Sequence, residues 1–273
     1  MPEGSLSSKY HGQSRQSASE GVRISHSMPK STNNHDPATS ASRNGCHILS
    51  EEVLKGLGQF DTCTIANAIE RCGVRLRNEG FTLPGLQCLT PPAPPLVGYA
   101  ATCRVRSSDP PLTGNVYLDR TDWWQAIERL PSPRVAVIQD LEPDAYGSVV
   151  GEVHCAILEA FHCLGVITNG AVRDIPAVSR MAFSMFARYA AVSHSYTHVV
   201  DYGDEAEIFG LKVRSGDLVM ADCHGAVLIP IEIAEELSRV AAEIRAGERR
   251  IIDICRSPDF SPEKLLDVIQ ANH

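Results

Sequence analysis

Arg173 and Asp174 are the residues of this 273-residue chain whose types and setting point most directly to chemistry. The run Val166-Ile167-Thr168 ahead of them is short, apolar and β-branched, as a strand buried on both faces should be, and Gly170 opens the turn that follows. The pair therefore falls at the C-terminal end of a strand, where open α/β sheets bind their ligands. Arg173 is a planar, permanently charged fork suited to a carboxylate. Its competing role is a structural salt bridge, but neighbours in a turn are expected to point in different directions, so the strand-end site is favoured. Asp174 stands two residues before Pro176 and is equally suited to capping the next helix and to holding a divalent cation; one oxygen can do each.

A second acid, Glu152, lies near the start of a helix read over 150–164. A Glu in a first turn is ordinarily a favourable partner of the helix dipole, worth roughly 0.3–1 kcal/mol, and helix N-termini also bind anions through their free N–H groups. Histidines are less informative. His154 and His162 share that helix at a spacing of eight, which does not suit a two-histidine metal site. His194 and His198, in SHSYTH, are four apart but read as extended chain, where that spacing separates them by roughly 13 Å; either alone could line a pocket, because imidazole titrates near neutral pH. His224 is expected in solvent at a hairpin tip.

The elements that must position these groups follow from periodicity. Val149, Val153, Ala156, Ile157, Ala160, Phe161 and Leu164 recur at three- and four-residue steps, marking a buried helical face, with Gly165 as its stop. Val135 to Gln139 reads as a strand, so the order strand, helix, strand, helix, strand over 135–187 predicts parallel βαβ units with right-handed crossovers. Upstream, Ser50 and Asp61 cap two helices, the second ended by Gly73. The proline-rich run from Pro84 to Pro95 is a loop, Gly98 to Val105 a strand, and Tyr117 to Leu130 a short helix with Trp123 and Trp124 in the core or at a subunit contact. Beyond Ala187, glycines punctuate strand-like fragments as in an antiparallel or barrel-like section, and Leu218–Ala221 and Ala226–Ile229 form a hairpin over Cys223-His224-Gly225. An amphipathic helix through Ile233 and Ile244 and a last one started by Ser261-Pro262 close the chain.

Several of these pieces occur in an order that resembles the RraA-like family: Gly151-Glu152, Gly165-Val166, Gly170 to Asp174, Phe183 to Ala187 and Val213 to Pro230, over roughly residues 60–245. The family includes metal-dependent 4-hydroxy-4-methyl-2-oxoglutarate aldolases, oxaloacetate decarboxylases and RraA, a protein inhibitor of ribonuclease E. The resemblance implies an α/β fold, a layered α/β/β/α sandwich with a parallel βαβαβ core, and trimers or hexamers with pockets at subunit boundaries. It also implies that Asp174 is a ligand of Mg²⁺ or Mn²⁺ and that Arg173 holds the substrate carboxylate. Glu152 would orient metal-bound water or move a proton, and the turn Gly151-Glu152-Val153-His154 would receive the carboxylate through the N–H groups of Val153 and His154. Many aldolases of the family have Gly-Asp where this chain has Gly151-Glu152, and the extra methylene shifts the acid toward a water-bridged contact.

Composition bounds the partners. A hydrophobic content of 43% is that of a globular enzyme, and a net charge of -8 without a basic stripe argues against nucleic acid. Nothing approaches a membrane span. Nine scattered cysteines, an odd number with no C-x-x-C pair, suggest reduced and mostly buried thiols in an intracellular, cytoplasmic protein rather than disulfides or structural zinc. Residues 1–46, polar and poor in large apolar side chains, read as a disordered tail before a single catalytic domain at 47–273; there is no secretory h-region, while an organellar address stays open.

These features together suit an α-keto acid held by its carboxylate and keto oxygen, with the metal stabilising the enolate formed in retro-aldol cleavage or decarboxylation. The other route, a lysine Schiff base, lacks a candidate between Lys55 and Lys212. The alternatives are a non-catalytic interaction protein, or an isomerase or hydrolase on the same scaffold.

Overall fold

The computed structural model describes residues 48–90, 94–112, 120–144 and 146–272; the 1–46 tail lies outside them. Helices α1 (Glu51–Leu57) and α2 (Thr62–Cys72) start where the caps predicted, with Ser50 Oγ accepting from the Val53 N–H and Asp61 Oδ1 from the Thr64 N–H, and Gly73 ends α2 at a φ of +67°. A two-residue strand, β1 (Gln87–Cys88), interrupts the proline-rich loop ahead of β2 (Leu96–Arg106). The tryptophan helix is α3 (Thr121–Glu128), which buries Trp123; residues 117–119 of the expected span are not described.

The parallel core follows as β3 (Arg134–Asp140), β4 (Ser148–Val150), α4 (Glu152–Ala160), β5 (Cys163–Thr168), β6 (Ala171–Val172), α5 (Ile175–Val178), β7 (Ser184–Ala187) and β8 (Tyr189–Ala190). Then come β9 (His198–Tyr202), the hairpins β10 (Ala206–Ile208) with β11 (Leu211–Val213) and β12 (Leu218–Asp222) with β13 (Gly225–Ile229), and helices α6 (Ala234–Arg256) and α7 (Pro262–Gln270). The main sheet runs β1-β7-β5-β3-β2-β12-β13, with β9 also on β2. Its centre, β7-β5-β3-β2, is parallel and its flanks are antiparallel. The sheet curls into a nearly closed barrel, and strand alternation decides what lies on each side. On β3, Val135 and Val137 point into the barrel with Ile167, Phe186 and the β10–β11 hairpin, while Ala136 and Ile138 face helices outside. One helical group, α1, α2 and α6, covers β2, β12 and β13, and a second, α3, α4 and α5, covers the parallel strands. The result is the expected α/β/β/α layering. Among the described residues, no helix is long and apolar enough to cross a membrane.

The organising helix is shorter than its periodicity predicted. Val149 belongs to β4, and α4 stops at Ala160 because His162 takes a left-handed φ of +57°. His162 is therefore not on the helix with His154, and Leu164 and Gly165 lie inside β5 rather than at a helix end. Strand and helix faces share i, i+4 coincidences in short apolar runs, which is the source of the error. The thiols also depart from expectation: of the eight cysteines described, all free, only Cys103, Cys155 and Cys163 are buried.

One buried cation ties the ends of two helices to the sheet. Arg134, 8% exposed, begins β3 and donates to the carbonyls of Glu128 and Leu130 at the end of α3 and of Phe161 at the end of α4, at 2.7 to 2.9 Å. These are the orphan acceptors that any helix leaves at its C-terminus. Replacing the guanidinium takes the donor from three part-buried carbonyls at once, so Arg134→Met should lower the unfolding free energy by about 3 kcal/mol in urea denaturation. Arg134→Lys should recover only part of that, since an ammonium lacks the planar fork.

Candidate functional site

The site is assembled by the second, smaller sheet, β4-β6-β8, which is parallel throughout. Its strands continue the chain after the C-terminal ends of β3, β5 and β7. Val150 pairs with Val172, and the Arg173 N–H donates to the Val150 carbonyl at 3.1 Å, so residues 150–152 and 172–174 run side by side. Gly151 makes the approach feasible. A Cβ there would press on Asp174 Oδ2 and stand 3.0 Å from Arg173 Cγ and Nε.

Asp174 sits at a φ of +59°, a left-handed conformation that Asp tolerates better than most residues. It precedes α5 without capping it by its side chain. Instead, Oδ2 accepts from the Glu152 N–H at 3.0 Å, so the carboxylate caps α4, the helix next door. Arg173 does not point away from it as expected: Nε lies 3.6 Å from the same Oδ2. The left-handed turn folds the carboxylate back toward the guanidinium. Both side chains remain accessible, Arg173 at 33% and Asp174 at 41%, and Glu152 and Val153 are exposed beside them.

His154, one residue further along α4, is partly buried, and its ionisation feels Arg120, Arg173 and His194. Burial first, and then those positive neighbours, push its pKa down to about 3, so the ring is neutral at working pH. His194 is near enough to His154 to act on its charge, with its backbone carbonyl against Gly147. It lies in a turn rather than extended chain, its Nδ1 2.8 Å from the Ser195 carbonyl oxygen. His198 begins β9, pairs with Arg106 and directs Nδ1 at the Tyr196 carbonyl oxygen; no contact joins it to Arg173 or Asp174 among those described.

Two features escaped sequence reasoning. Arg120, only 3% exposed at the start of α3, donates to the Val149 carbonyl at 3.3 Å and adds positive charge behind His154. Asp140, at the C-terminal end of β3, accepts from the buried Ser107 hydroxyl at 2.8 Å and from the Glu142 N–H, while Asn169 brackets its backbone. Burial pushes the Asp140 carboxyl up, against the pull of those two hydrogen bonds. The strand-end argument that singled out Arg173 applies equally to Asp140. No comparable signal marks Arg120.

The class that the fold and site define is a mixed α/β one, a curled, helix-flanked sheet with an Arg-Asp pair over the first turn of a neighbouring helix. Residues 62–228 match the RraA-like family, described as Aldolase/RraA, and the chain belongs to that family. A Halalkalibacterium halodurans protein, provisionally named a 4-hydroxy-4-methyl-2-oxoglutarate aldolase, is 26% identical over 127 residues. That alignment covers 45% of this chain and 60% of the relative. Protein DlpA of Legionella pneumophila is 22% identical over 73% of this chain, which spans 31% of DlpA. Among solved structures, a Pseudomonas syringae pv. tomato protein shares the fold with a TM-score of 0.65 at 23% identity, covering 84% of this chain and 98% of its own. Streptomyces coelicolor RraAS2, a member of the RNase ES inhibitor RraA family, gives 0.59 at 20% identity, over 74% and 96%.

Two outcomes follow from the geometry. Gly151→Ala should displace the Asp174 carboxylate from the α4 N-terminus and lower stability by about 1–3 kcal/mol in denaturant titration, as overpacking does. For His154, the folded ring titrates near 3 and an ordinary imidazole near 6.5. Between those values the unfolded chain takes up a proton that the folded protein refuses, so acidification through this window weakens folding and pH above it has no effect. Denaturation midpoints at pH 7 and pH 5 should separate more for the wild type than for His154→Gln.

Proposed function

We propose that this chain is a carbon-carbon lyase acting on an α-keto acid with Mg²⁺ or Mn²⁺ as cofactor. It would release pyruvate by retro-aldol cleavage of a 4-hydroxy-2-oxo acid or by decarboxylation of oxaloacetate. The observation that carries this reading is the Asp174 carboxylate seated over the first turn of α4, beside the Arg173 guanidinium and the exposed Glu152. Membership of a family described as Aldolase/RraA supports it.

The residues present fit a hard divalent cation. Asp174 is accessible, its Oδ2 is already oriented by protein contacts, and the missing Cβ of Gly151 leaves a cradle against it. Mg²⁺ takes one or two carboxylates and keeps several waters, which such a sparse oxygen set allows. Asp174 would hold the ion, with Glu152 reaching it through water. When bound, it supplies Lewis acidity toward the keto oxygen.

The remaining work belongs to the chain. Arg173 binds the substrate carboxylate through two parallel N–H donors and fixes its orientation. The turn Gly151-Glu152-Val153-His154 adds a positive dipole end to the same anion. Glu152 would move the proton, taking it from the 4-hydroxyl as the C3–C4 bond breaks and returning it to the former C3, which becomes the methyl carbon of pyruvate. His154, neutral and partly buried, stands behind the same helical turn. The working protein is taken as a cytoplasmic homo-oligomer, a trimer or hexamer.

Pyruvate release from oxaloacetate and from 4-hydroxy-2-oxo acids should appear with Mg²⁺ or Mn²⁺, vanish in EDTA and return on adding metal. Full turnover in EDTA would remove the cation from the mechanism. Arg173→Ala should lower kcat/KM at least roughly 10²-fold, with Arg173→Lys between it and the wild type. Because Arg173 also contacts Asp174, melting temperature is measured on the same variants. A destabilised Arg173→Ala protein with full turnover per folded molecule would leave Arg173 only a structural role.

A further inference from the structure

Away from Arg173 and Asp174, a second set of chemically active side chains meets at the turn between β12 and β13. Asp222 pairs with Gly225, leaving Cys223 and His224 as a two-residue loop. The carboxylate, thiol and imidazole of Asp222, Cys223 and His224 place one donor atom each within 4.8 Å of one another. His224 Nδ1 is 3.0 Å from Asp222 Oδ1, and Cys223 Sγ is 3.6 Å from His224 Nδ1. A tetrahedral zinc ion with bonds of about 2.3 Å to sulfur and about 2.0–2.1 Å to nitrogen or oxygen holds S and N about 3.5 Å apart, and N and O about 3.3 Å apart. Two of the three donor pairs, N with O and S with N, therefore stand near the edge lengths of such a polyhedron already.

The support behind them is built. Asp222 has a side chain only 9% exposed, fixed by the Thr62 N–H on Oδ2 at 2.8 Å and by the Thr62 hydroxyl and the His224 N–H on Oδ1 at 2.7 and 2.9 Å. Hydrogen bonds of this kind orient ligating carboxylates in metal sites. His224 is half exposed and Cys223 exposed, so an ion has an entry path. Two further thiols converge from distant parts of the chain. Burial raises the pKa of Cys63, with Asp61 and Asp222 adding to it; burial likewise raises that of Cys88, with smaller contributions from Cys223 and Asp222. A hydrogen-bonded hairpin needs Asp222, but it has no use for a thiol beside the imidazole.

We propose that the β12–β13 tip is a binding site for a thiophilic divalent cation of the Zn²⁺ type, held by Asp222, Cys223 and His224, with the fourth position left to solvent. Thiolate and imidazole select such an ion over Mg²⁺ or Ca²⁺, so the site is chemically separate from an oxygen-only site at Asp174. Binding converts the Cys223 thiol to a thiolate and releases its proton to solvent. The neutral imidazole shifts its proton to Nε2, freeing Nδ1 to ligate. Because Asp222 also grips Thr62 at the start of α2, the ion couples the hairpin to that helix.

The test uses the full chain in millimolar Mg²⁺, with Co²⁺ and then Zn²⁺ as probes. One equivalent of Co²⁺ should give thiolate charge-transfer absorption and tetrahedral visible bands, and one equivalent of Zn²⁺ should displace it, with one proton released per ion bound. Cys223→Ser and His224→Gln should abolish the spectrum, while Cys63→Ser and Asp174→Asn should keep it. In unmodified protein, Zn²⁺ should protect Cys223 from alkylation, read by peptide mass, which does not depend on any variant folding. Absence of a thiolate band in the wild type, its survival in Cys223→Ser, its loss in Cys63→Ser, or alkylation of Cys223 unchanged by Zn²⁺ would each overturn the assignment. None of these results depends on whether the lyase reading holds.

Discussion

Everything at the candidate site depends on one backbone pairing, that of Val150 with Val172 in the small parallel sheet. It sets residues 151–152 and 173–174 abreast, and three features of the site lie in that proximity. The Glu152 N–H meets Asp174 Oδ2, the Arg173 guanidinium meets the same oxygen, and Gly151 leaves the space both need. The main sheet could not do this alone, because its strands end before the turns begin. The extra strands β4, β6 and β8 prolong the strand-to-helix connections into a second ladder. Loops that would otherwise drift independently are thereby held to within a hydrogen bond of one another, which is what a preorganised site requires.

The same economy appears beneath the sheet. Helices α3 and α4 end near the start of β3, and each leaves carbonyl acceptors without an intrahelical partner. Arg134 answers both ends with one guanidinium, which fixes the helices relative to the strand that carries Asp140. A buried cation without a carboxylate partner is costly unless its N–H groups are satisfied. Here carbonyl dipoles at two helix C-termini, the negative ends of their macrodipoles, satisfy them.

Much of this architecture was legible in the sequence, and the exceptions share a cause. Caps at Ser50, Asp61 and Ser261, the left-handed stop at Gly73 and the β12–β13 hairpin are local features, decided by a few adjacent residues. The parallel order of β3, β5 and β7 followed from element spacing. The bounds of α4 did not, because His162 and Asp174 adopt left-handed backbone that tertiary contacts impose and no glycine announces. At the site, Arg173, Asp174 and Glu152 could be picked out by their positions at a strand end and a helix start. Their mutual contacts could not, nor could the approach of Arg120 to the α4 region from about 30 residues upstream. The convergence of Thr62 with Asp222, 160 residues apart, was equally invisible. His224 therefore reads as a solvated hairpin residue and Cys223 as one more packing thiol, rather than as parts of a cluster.

Asp174 shows why structural and functional readings of such a residue do not compete. A carboxylate that accepts a backbone N–H through one oxygen is held in place by a charge-assisted bond, and it retains a second oxygen directed by the first. The left-handed φ costs of order 1–3 kcal/mol, the range typical of strained positions. Capping another helix's first turn offsets part of that, at about 1 kcal/mol. A residue chosen for stability alone would cap its own helix from ordinary backbone, as Ser261 does at the start of α7. The strained turn instead delivers the carboxylate across to α4 and folds it back over Arg173, an arrangement with no advantage for α5 that presents a guanidinium fork and a carboxylate oxygen on the same accessible surface. The strain is therefore a consequence of where the carboxylate is delivered, with the α4 cap making the position tolerable.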